Sequence, residues 1–225
     1  MPDGSLSIAA RLFLLSWDTE RQNATGASQP ASLVRAGALT ELTRRGLLDD
    51  DGGVAVPVGD GRSGDPVLDG LLELIEESRP RTWKKWVTFH ARYTLDAVRT
   101  QLTQSGYLRR RRRRVLGIFP AARYEIDRPG VVVSLREDAR AVLAGPVPVA
   151  EVSGPDAALV VLAAAAEVRA LATAQERSLH KERIGQLAER GGEASPTLRK
   201  VIQEMRTAVI EAATTNSTTA SADGC

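Results

Sequence analysis

Six consecutive arginines run from Arg109 to Arg114 directly into the apolar stretch 115–120, and this junction restricts the fold more than any other feature. A guanidinium stays charged, and an unpaired buried charge is very costly, so the block must lie at the surface. A partner that contacts the arginine block also contacts the apolar tip formed by Leu116, Ile118 and Phe119. Anionic lipid headgroups above an acyl layer fit this pattern, and so does a nucleic-acid backbone held by a wing. The alternative is a solvated charge run beside an ordinary core strand.

Charge is polarised along the sequence. The formal net charge is +2, yet the segment 81–114 holds eleven Lys or Arg against one acid, Asp96, which leaves about +10. The segment 47–78 holds nine acids against Arg62 alone, or about −8. Polarity of this kind bears on partners and not on the fold.

Length and composition predict one globular unit. A chain of 225 residues with 43% hydrophobic content can bury its own core. Its longest apolar run, 157–166, is well short of the ~20 residues that cross a bilayer, so any membrane contact is expected to be peripheral. The segment 8–17 lacks a signal-peptide pattern, and the one cysteine, Cys225, permits no internal disulfide. A cytoplasmic location is therefore expected.

The fold class is predicted to be mainly α, with a central helical bundle in a single domain, 5–213. Ser5 is the candidate N-cap of the first helix, Pro30 suits the first turn of the second, and Asp65 and Pro66 open the third. The apolar run 157–166 has no polar face, which is typical of a bundle centre. Residues 83–88 are ambiguous. The predicted helices span 5–15, 30–46, 65–80, 94–105, 131–143, 155–179 and 195–213, and 214–225 is treated as a disordered tail.

Two segments share one order of features. Each has a helix that ends at a glycine, Gly46 or Gly106, followed by a short apolar pair, a charged segment and a second apolar stretch. Both are predicted to be two-stranded hairpins with a charged turn, acidic in the first and basic in the second. The second hairpin is expected to return through 123–126, which alternate like a half-buried strand.

Residues for catalysis are scarce. His90 and His180 are the only histidines, and neither has metal-ligand spacing. The glycine-rich segment 59–64 lacks the Lys-Ser/Thr of a phosphate-binding loop. We therefore predict no enzyme activity, no metal and no cofactor.

Five stretches together resemble the Golgi phosphoprotein three family. They are SLVRAGALTELTRRG at 32–46, DPVLD at 65–69, WV at 86–87, LTQSGYL at 102–108 and RVLGIFP at 114–120. The resemblance extends over roughly 5–213. It implies an all-α fold around a helical bundle with a protruding β-hairpin. The eukaryotic members of the family bind phosphatidylinositol 4-phosphate on the cytosolic face of the Golgi membrane and retain glycosyltransferases there. The Arg- and Ala-rich composition suggests a bacterial relative, for which the expected location is the cytoplasm or the inner face of the cell membrane.

The family's headgroup pocket is partly matched. Arg35 and Arg92 match two of its arginines, a third basic position falls on Leu95, and its tryptophan falls on Gly26. Arg35 and Arg92 are therefore predicted to contact phosphate, since guanidinium groups match phosphate geometry; the alternative is two ordinary surface arginines. The candidates to replace the missing aromatic are Trp83, Trp86 and Tyr93.

The resemblance also implies a hairpin that inserts into membranes or self-associates. Its predicted residues are Arg109, Arg110, Arg111, Arg112, Arg113, Arg114, Leu116, Ile118 and Phe119. We expect a peripheral protein that binds anionic lipid, with phosphatidylinositol 4-phosphate as the implied ligand. The alternatives are a winged-helix-like nucleic-acid binder that uses the arginine wing, and a structural homo-oligomer in which the hairpin packs on a neighbouring subunit.

Overall fold

The computed structural model describes residues 6–18, 29–115 and 119–220, with side chains except at 112–115, 119–122 and 212–220. Four short strands and ten helices lie in these ranges. The helices are α1 (Ile8–Leu15), α2 (Pro30–Arg44), α3 (Pro66–Glu76), α4 (Trp83–Thr88), α5 (Ala91–Gln104), α6 (Pro129–Ala144), α7 (Gly154–Ala165), α8 (Ala174–Leu179), α9 (Lys181–Gly191) and α10 (Pro196–Ala220). The strands are β1 (Leu48–Asp51), β2 (Val54–Pro57), β3 (Leu108–Val115) and β4 (Phe119–Ile126). The mainly α fold is confirmed.

Two helices form the centre of the bundle. α7 packs against α1, α2, α6, α9 and α10, and every residue from Ala157 to Ala165 is buried. The predicted central position of this apolar run is therefore confirmed. α2 packs against α1, α3, α4, α5 and α10, and it is buried from Ser32 to Thr43. Side chains on α2 are thus fixed from several directions.

A buried carboxylate joins the first two helices. Glu41 on α2 is 3% exposed and accepts the N–H of Ile8 at 3.1 Å, and it also pairs with Arg44 and Arg45. Burial alone raises the pKa of Glu41, but the hydrogen bonds and charges of these partners outweigh burial and lower it below its usual value. Gly37 lies at the same contact, where an added Cβ would come within 2.6 Å of Leu12.

Helix starts follow the capping signals, with one correction. Asp65 accepts the N–H groups of Val67 and Leu68 at the start of α3, as predicted. The N-cap of α1 is Ser7 and not Ser5, because the Ser7 hydroxyl accepts the N–H of Ala10. The ambiguous segment 83–88 is a helix, and α5 begins three residues earlier than predicted.

Both hairpins are confirmed. β1 pairs with β2 from Leu48 to Pro57, and β3 pairs with β4 from Leu108 to Ile126, each antiparallel. The prediction of charged turns is wrong in both hairpins, because Asp49–Asp51 lie within β1 and Arg109–Arg114 lie within β3. Leu116 and Ile118, between β3 and β4 in sequence, lie outside the described residues.

The C-terminal half differs most from expectation. The predicted helix 155–179 is two helices, because Glu167 has a φ of 54° and its N–H bonds Ala164, which ends α7. The predicted helix 195–213 starts correctly, with Ser195 accepting the N–H of Leu198. It continues to Ala220, because no glycine or proline interrupts 197–220, so the helix includes the first part of the expected disordered tail.

Candidate functional site

Arg35 on α2 is a buried cation with an unused donor. Its exposed fraction is 0%, its Nε donates to Thr94 Oγ1 at 2.8 Å, and its Nη2 donates to the carbonyl oxygen of His90 at 2.8 Å. Its Nη1 is buried and has no hydrogen-bond partner among the described residues. Burial lowers the pKa of Arg35 to about 10, so the group stays charged at neutral pH. Both hydrogen-bond partners are neutral, so neither offsets this charge.

The Arg35 guanidinium contacts the N-terminal end of α5. His90 precedes the helix with a φ of 51°, a left-handed conformation that is uncommon for residues other than glycine. Its side chain makes no capping hydrogen bond. The first N–H groups of a helix have no acceptor within the helix, and this end carries a partial positive charge. The N-terminal end of α5 and the Arg35 guanidinium are therefore both positive.

Arg92 lies on the first turn of α5 and is exposed. It stands between His90 and Thr94, the two residues that Arg35 bonds. The two predicted arginines are therefore at the same end of α5, Arg35 below the surface and Arg92 on it. The interpretation of Arg35 as an ordinary surface arginine is wrong, whereas a headgroup role for either residue stays a prediction.

The other pocket positions do not supply a further cation or ring. Leu95 is 5% exposed and belongs to the core, and Gly26 lies outside the described residues. Trp83 and Trp86 are fully buried, and the Trp83 indole donates to Asp50 at 2.6 Å, so both are core residues. Tyr93 is the remaining candidate because it is 64% exposed.

Arginine lines both faces of the β3–β4 hairpin. Successive strand residues point to opposite faces, so exposed Arg110 and Arg111 lie on different ones. Arg111 pairs with Glu125 at 3.3 Å and remains 57% exposed. Phe119 opens β4 opposite Val115, and its side chain lies outside the described ones. The apolar tip therefore stays a prediction.

The hairpin begins by running back along α5. Gly106, with a φ of 71°, reverses the chain after the helix, and the N–H of Tyr107 bonds Leu102. Two residues into the strand pair, the ring of Tyr124 lies 5.5 Å from the Arg99 guanidinium of α5. The base of the hairpin therefore heads toward the end of α5 that holds Arg92.

A cavity of about 440 Å³ lies between α6 and α7 and is a weaker candidate. Its walls are mostly alkyl groups, and Arg11 and Asp156 pair across it at 2.5 Å. Neither Arg35 nor Arg92 lines it. Within the described residues, no group of three or more His, Cys, Asp or Glu side chains is placed to hold a metal ion.

The fold and the site define a mainly α-helical protein with two arginines, one buried and one exposed, at the start of one helix. The sequence model of the Golgi phosphoprotein 3 (GPP34) family matches residues 8–205, and the chain belongs to this family. A comparison with curated proteins gave no match. Over the described residues, every helix is too short or too polar to span a bilayer.

The family resemblance pointed to Arg35 and Arg92, but nothing in the sequence revealed their surroundings. His90 and Thr94 were not expected to hold the Arg35 guanidinium, because no sequence pattern links a side chain on one helix to a carbonyl before another. Because α5 was predicted to begin at Thr94, residues 91–93 were not recognised as its first turn. A histidine in left-handed conformation has no sequence signal here, since glycine is the usual residue there.

Proposed function

We propose that the protein is a peripheral membrane protein that binds an anionic lipid headgroup at the start of α5. Phosphatidylinositol 4-phosphate is the proposed ligand, because the family resemblance implies it and a phosphomonoester suits paired guanidinium groups. Arg35 and Arg92 are the proposed phosphate contacts. The proposed location is the cytosolic face of a membrane.

One observation carries this proposal: of the buried side-chain atoms that lack a hydrogen-bond partner in the described part of the chain, Arg35 Nη1 belongs to a fully buried cation, whereas Arg99 and Arg136 are partly exposed. Buried polar groups are nearly always satisfied, and an unsatisfied donor costs ~1–3 kcal/mol. A phosphate oxygen would remove that cost and would also accept the N–H groups at the helix end. Core packing alone gives no reason for a cation at this position.

Direct contact with Nη1 requires the start of α5 to move, because this nitrogen is buried. Movement at His90 would release strain, since a residue held in left-handed conformation stores about 1–3 kcal/mol. Arg35 would then exchange the His90 carbonyl for the stronger phosphate acceptor.

The arginine hairpin would add a second, less selective contact. Each basic residue near an anionic membrane surface contributes about 1 kcal/mol, which falls as salt rises. The hairpin starts toward the same end of α5, so both elements could face one bilayer. An apolar tip that enters the bilayer, or packs on a second copy of the chain, is part of the same proposal.

The direct test is vesicle flotation at matched surface charge. Vesicles of phosphatidylcholine carry either phosphatidylinositol 4-phosphate or phosphatidylserine, adjusted to equal charge density. We expect the protein to prefer the first lipid, and Arg92→Ala to remove the preference while weaker charge-driven binding persists. Arg169→Ala, on the loop after α7, is the matched control.

Two results would contradict the proposal. Equal binding to both vesicles would leave a nonspecific binder of anionic surfaces without a headgroup site. Full displacement from both vesicles by duplex DNA at low salt would favour the nucleic-acid alternative, in which the hairpin grips phosphates.

A further inference from the structure

Three rings and a guanidinium form a continuous stack beside the α5 site. The His90 and Tyr93 rings are parallel within 8° with centroids 5.1 Å apart. The Phe89 ring meets His90 edge-on at 4.1 Å, and the Arg81 guanidinium covers Phe89 at 3.8 Å. We call Arg81, Phe89, His90 and Tyr93 the aromatic stack. Tyr93 ends it and is 64% exposed.

In the unbound protein the stack contacts the bundle at two points. Its His90 carbonyl accepts both the Arg35 guanidinium at 2.8 Å and the N–H of Tyr93 at 3.0 Å. Phe89 also rests edge-on against the buried ring of Trp86 at 5.6 Å. An exposed ring that is already ordered loses little conformational entropy when it is covered by a partner.

Two exposed basic residues belong to the same segment as the stack. Lys85 precedes Phe89 and Arg92 directly precedes Tyr93, and neither has an ion pair among the described residues. A tyrosine ring has an apolar body and a polar tip, which suits the boundary between lipid headgroups and acyl chains. Cations beside such a ring match the phosphates of an anionic bilayer.

We propose that Tyr93 is an interfacial anchor whose ring enters the headgroup layer of a lipid bilayer while Arg92 contacts lipid phosphate. This proposal rests on the proposed lipid-binding function and names a bilayer, not a soluble phosphate, as the partner. The anchor supplies the part of the binding that does not depend on charge. It therefore persists in salt that screens the arginines.

The test compares Tyr93→Ser with its parent in two binding assays. One measures flotation with phosphatidylcholine vesicles that contain phosphatidylinositol 4-phosphate, at low and high salt. The other measures calorimetric binding of glycerophosphoinositol 4-phosphate, the same headgroup without acyl chains. We expect Tyr93→Ser to weaken vesicle binding about three- to tenfold at both salt concentrations and to weaken headgroup binding much less.

Two variants serve as controls. Tyr93→Trp should restore or exceed parental vesicle binding, because tryptophan also favours the interface. Leu179→Ser removes a side chain on α8 that is 77% exposed, and it should change neither assay. Both exposed sites should tolerate substitution, and an unchanged thermal midpoint confirms folding.

The outcomes separate this proposal from the headgroup site. If Tyr93→Ser weakened binding equally in both assays, Tyr93 would belong to the headgroup pocket and the anchor proposal would be overturned. Unchanged vesicle binding would also overturn it. The parent protein could also float with vesicles without preferring the headgroup, and lose flotation when Tyr93→Ser is introduced. That result would support the anchor and refute the headgroup site. A parent that binds no vesicle would refute both.

Discussion

Replacing Arg35 with methionine separates a ligand-binding role from a structural one. Methionine has a similar length and no charge, so it fills the same space. Lowering the pKa of Arg35 to about 10 corresponds to about 3 kcal/mol lost by the charged form on burial. Its two hydrogen bonds to neutral acceptors return roughly 1.5 kcal/mol each. These quantities nearly cancel, and the loss of the donor to buried Thr94 adds about 1–2 kcal/mol, so Arg35→Met should cost no more than about 2 kcal/mol of unfolding free energy.

Lipid binding should respond very differently. A lost charge-assisted contact to phosphate is worth ~1.5–3 kcal/mol, so Arg35→Met should weaken binding of the soluble headgroup by ten- to a hundredfold. Calorimetry measures binding, and urea unfolding followed by circular dichroism measures stability. Arg35→Lys is the second variant: it keeps the charge but not the fork geometry, so it should bind at an intermediate level.

A destabilisation of 3–5 kcal/mol by Arg35→Met, the range for breaking a buried ion pair, would show that Arg35 is part of the structural framework. Unchanged headgroup binding in a stable Arg35→Met protein would refute the reasoning directly. The unpaired Nη1 would then have no ligand.

Three further predictions concern packing, charge and the hairpin. Gly37→Ala should cost about 1–3 kcal/mol of unfolding free energy because its Cβ meets Leu12 at 2.6 Å, whereas Gly70→Ala, on an open face of α3, should gain about 0.5–1 kcal/mol. Glu41→Gln should cost about 1–2 kcal/mol at neutral pH; because the pKa of Glu41 is lowered in the folded state, urea unfolding should show this difference shrinking as the pH falls below the ordinary Glu pKa of about 4.3 and vanishing only below the folded-state pKa. Serine at all four positions 110–113 should reduce flotation with anionic vesicles by roughly two to three orders of magnitude in low salt without changing the circular dichroism, and undiminished flotation would remove the hairpin from the membrane contact.

Local signals predicted much of the fold. Pro30 and Asp65 predicted helix starts because proline and a capping carboxylate act within a few residues of their own position. Gly46 and Gly106 predicted both chain reversals, since each has a φ of 71° that glycine adopts without strain. The burial of the run 157–166 followed from its lack of a polar face.

Features that depend on distant contacts were not predictable. The end of α7 at Glu167 uses a left-handed conformation without the usual glycine or asparagine. The burial of Arg35 opposes the strong tendency of arginine to lie at the surface. Only the packing of α2 against α5 creates that environment, and no pattern within either helix encodes it.

Nitrogen NMR of the arginine side chains during titration with glycerophosphoinositol 4-phosphate tests the central claim most directly. Arg35 is expected to give a distinct resonance because its guanidinium is buried and held by two hydrogen bonds. The account predicts that the largest changes occur at the Arg35 side chain and at the backbone amides of Ala91 and Arg92, and that all three saturate together. Changes confined to the arginines of the hairpin, with Arg35 unaffected at saturation, would contradict it.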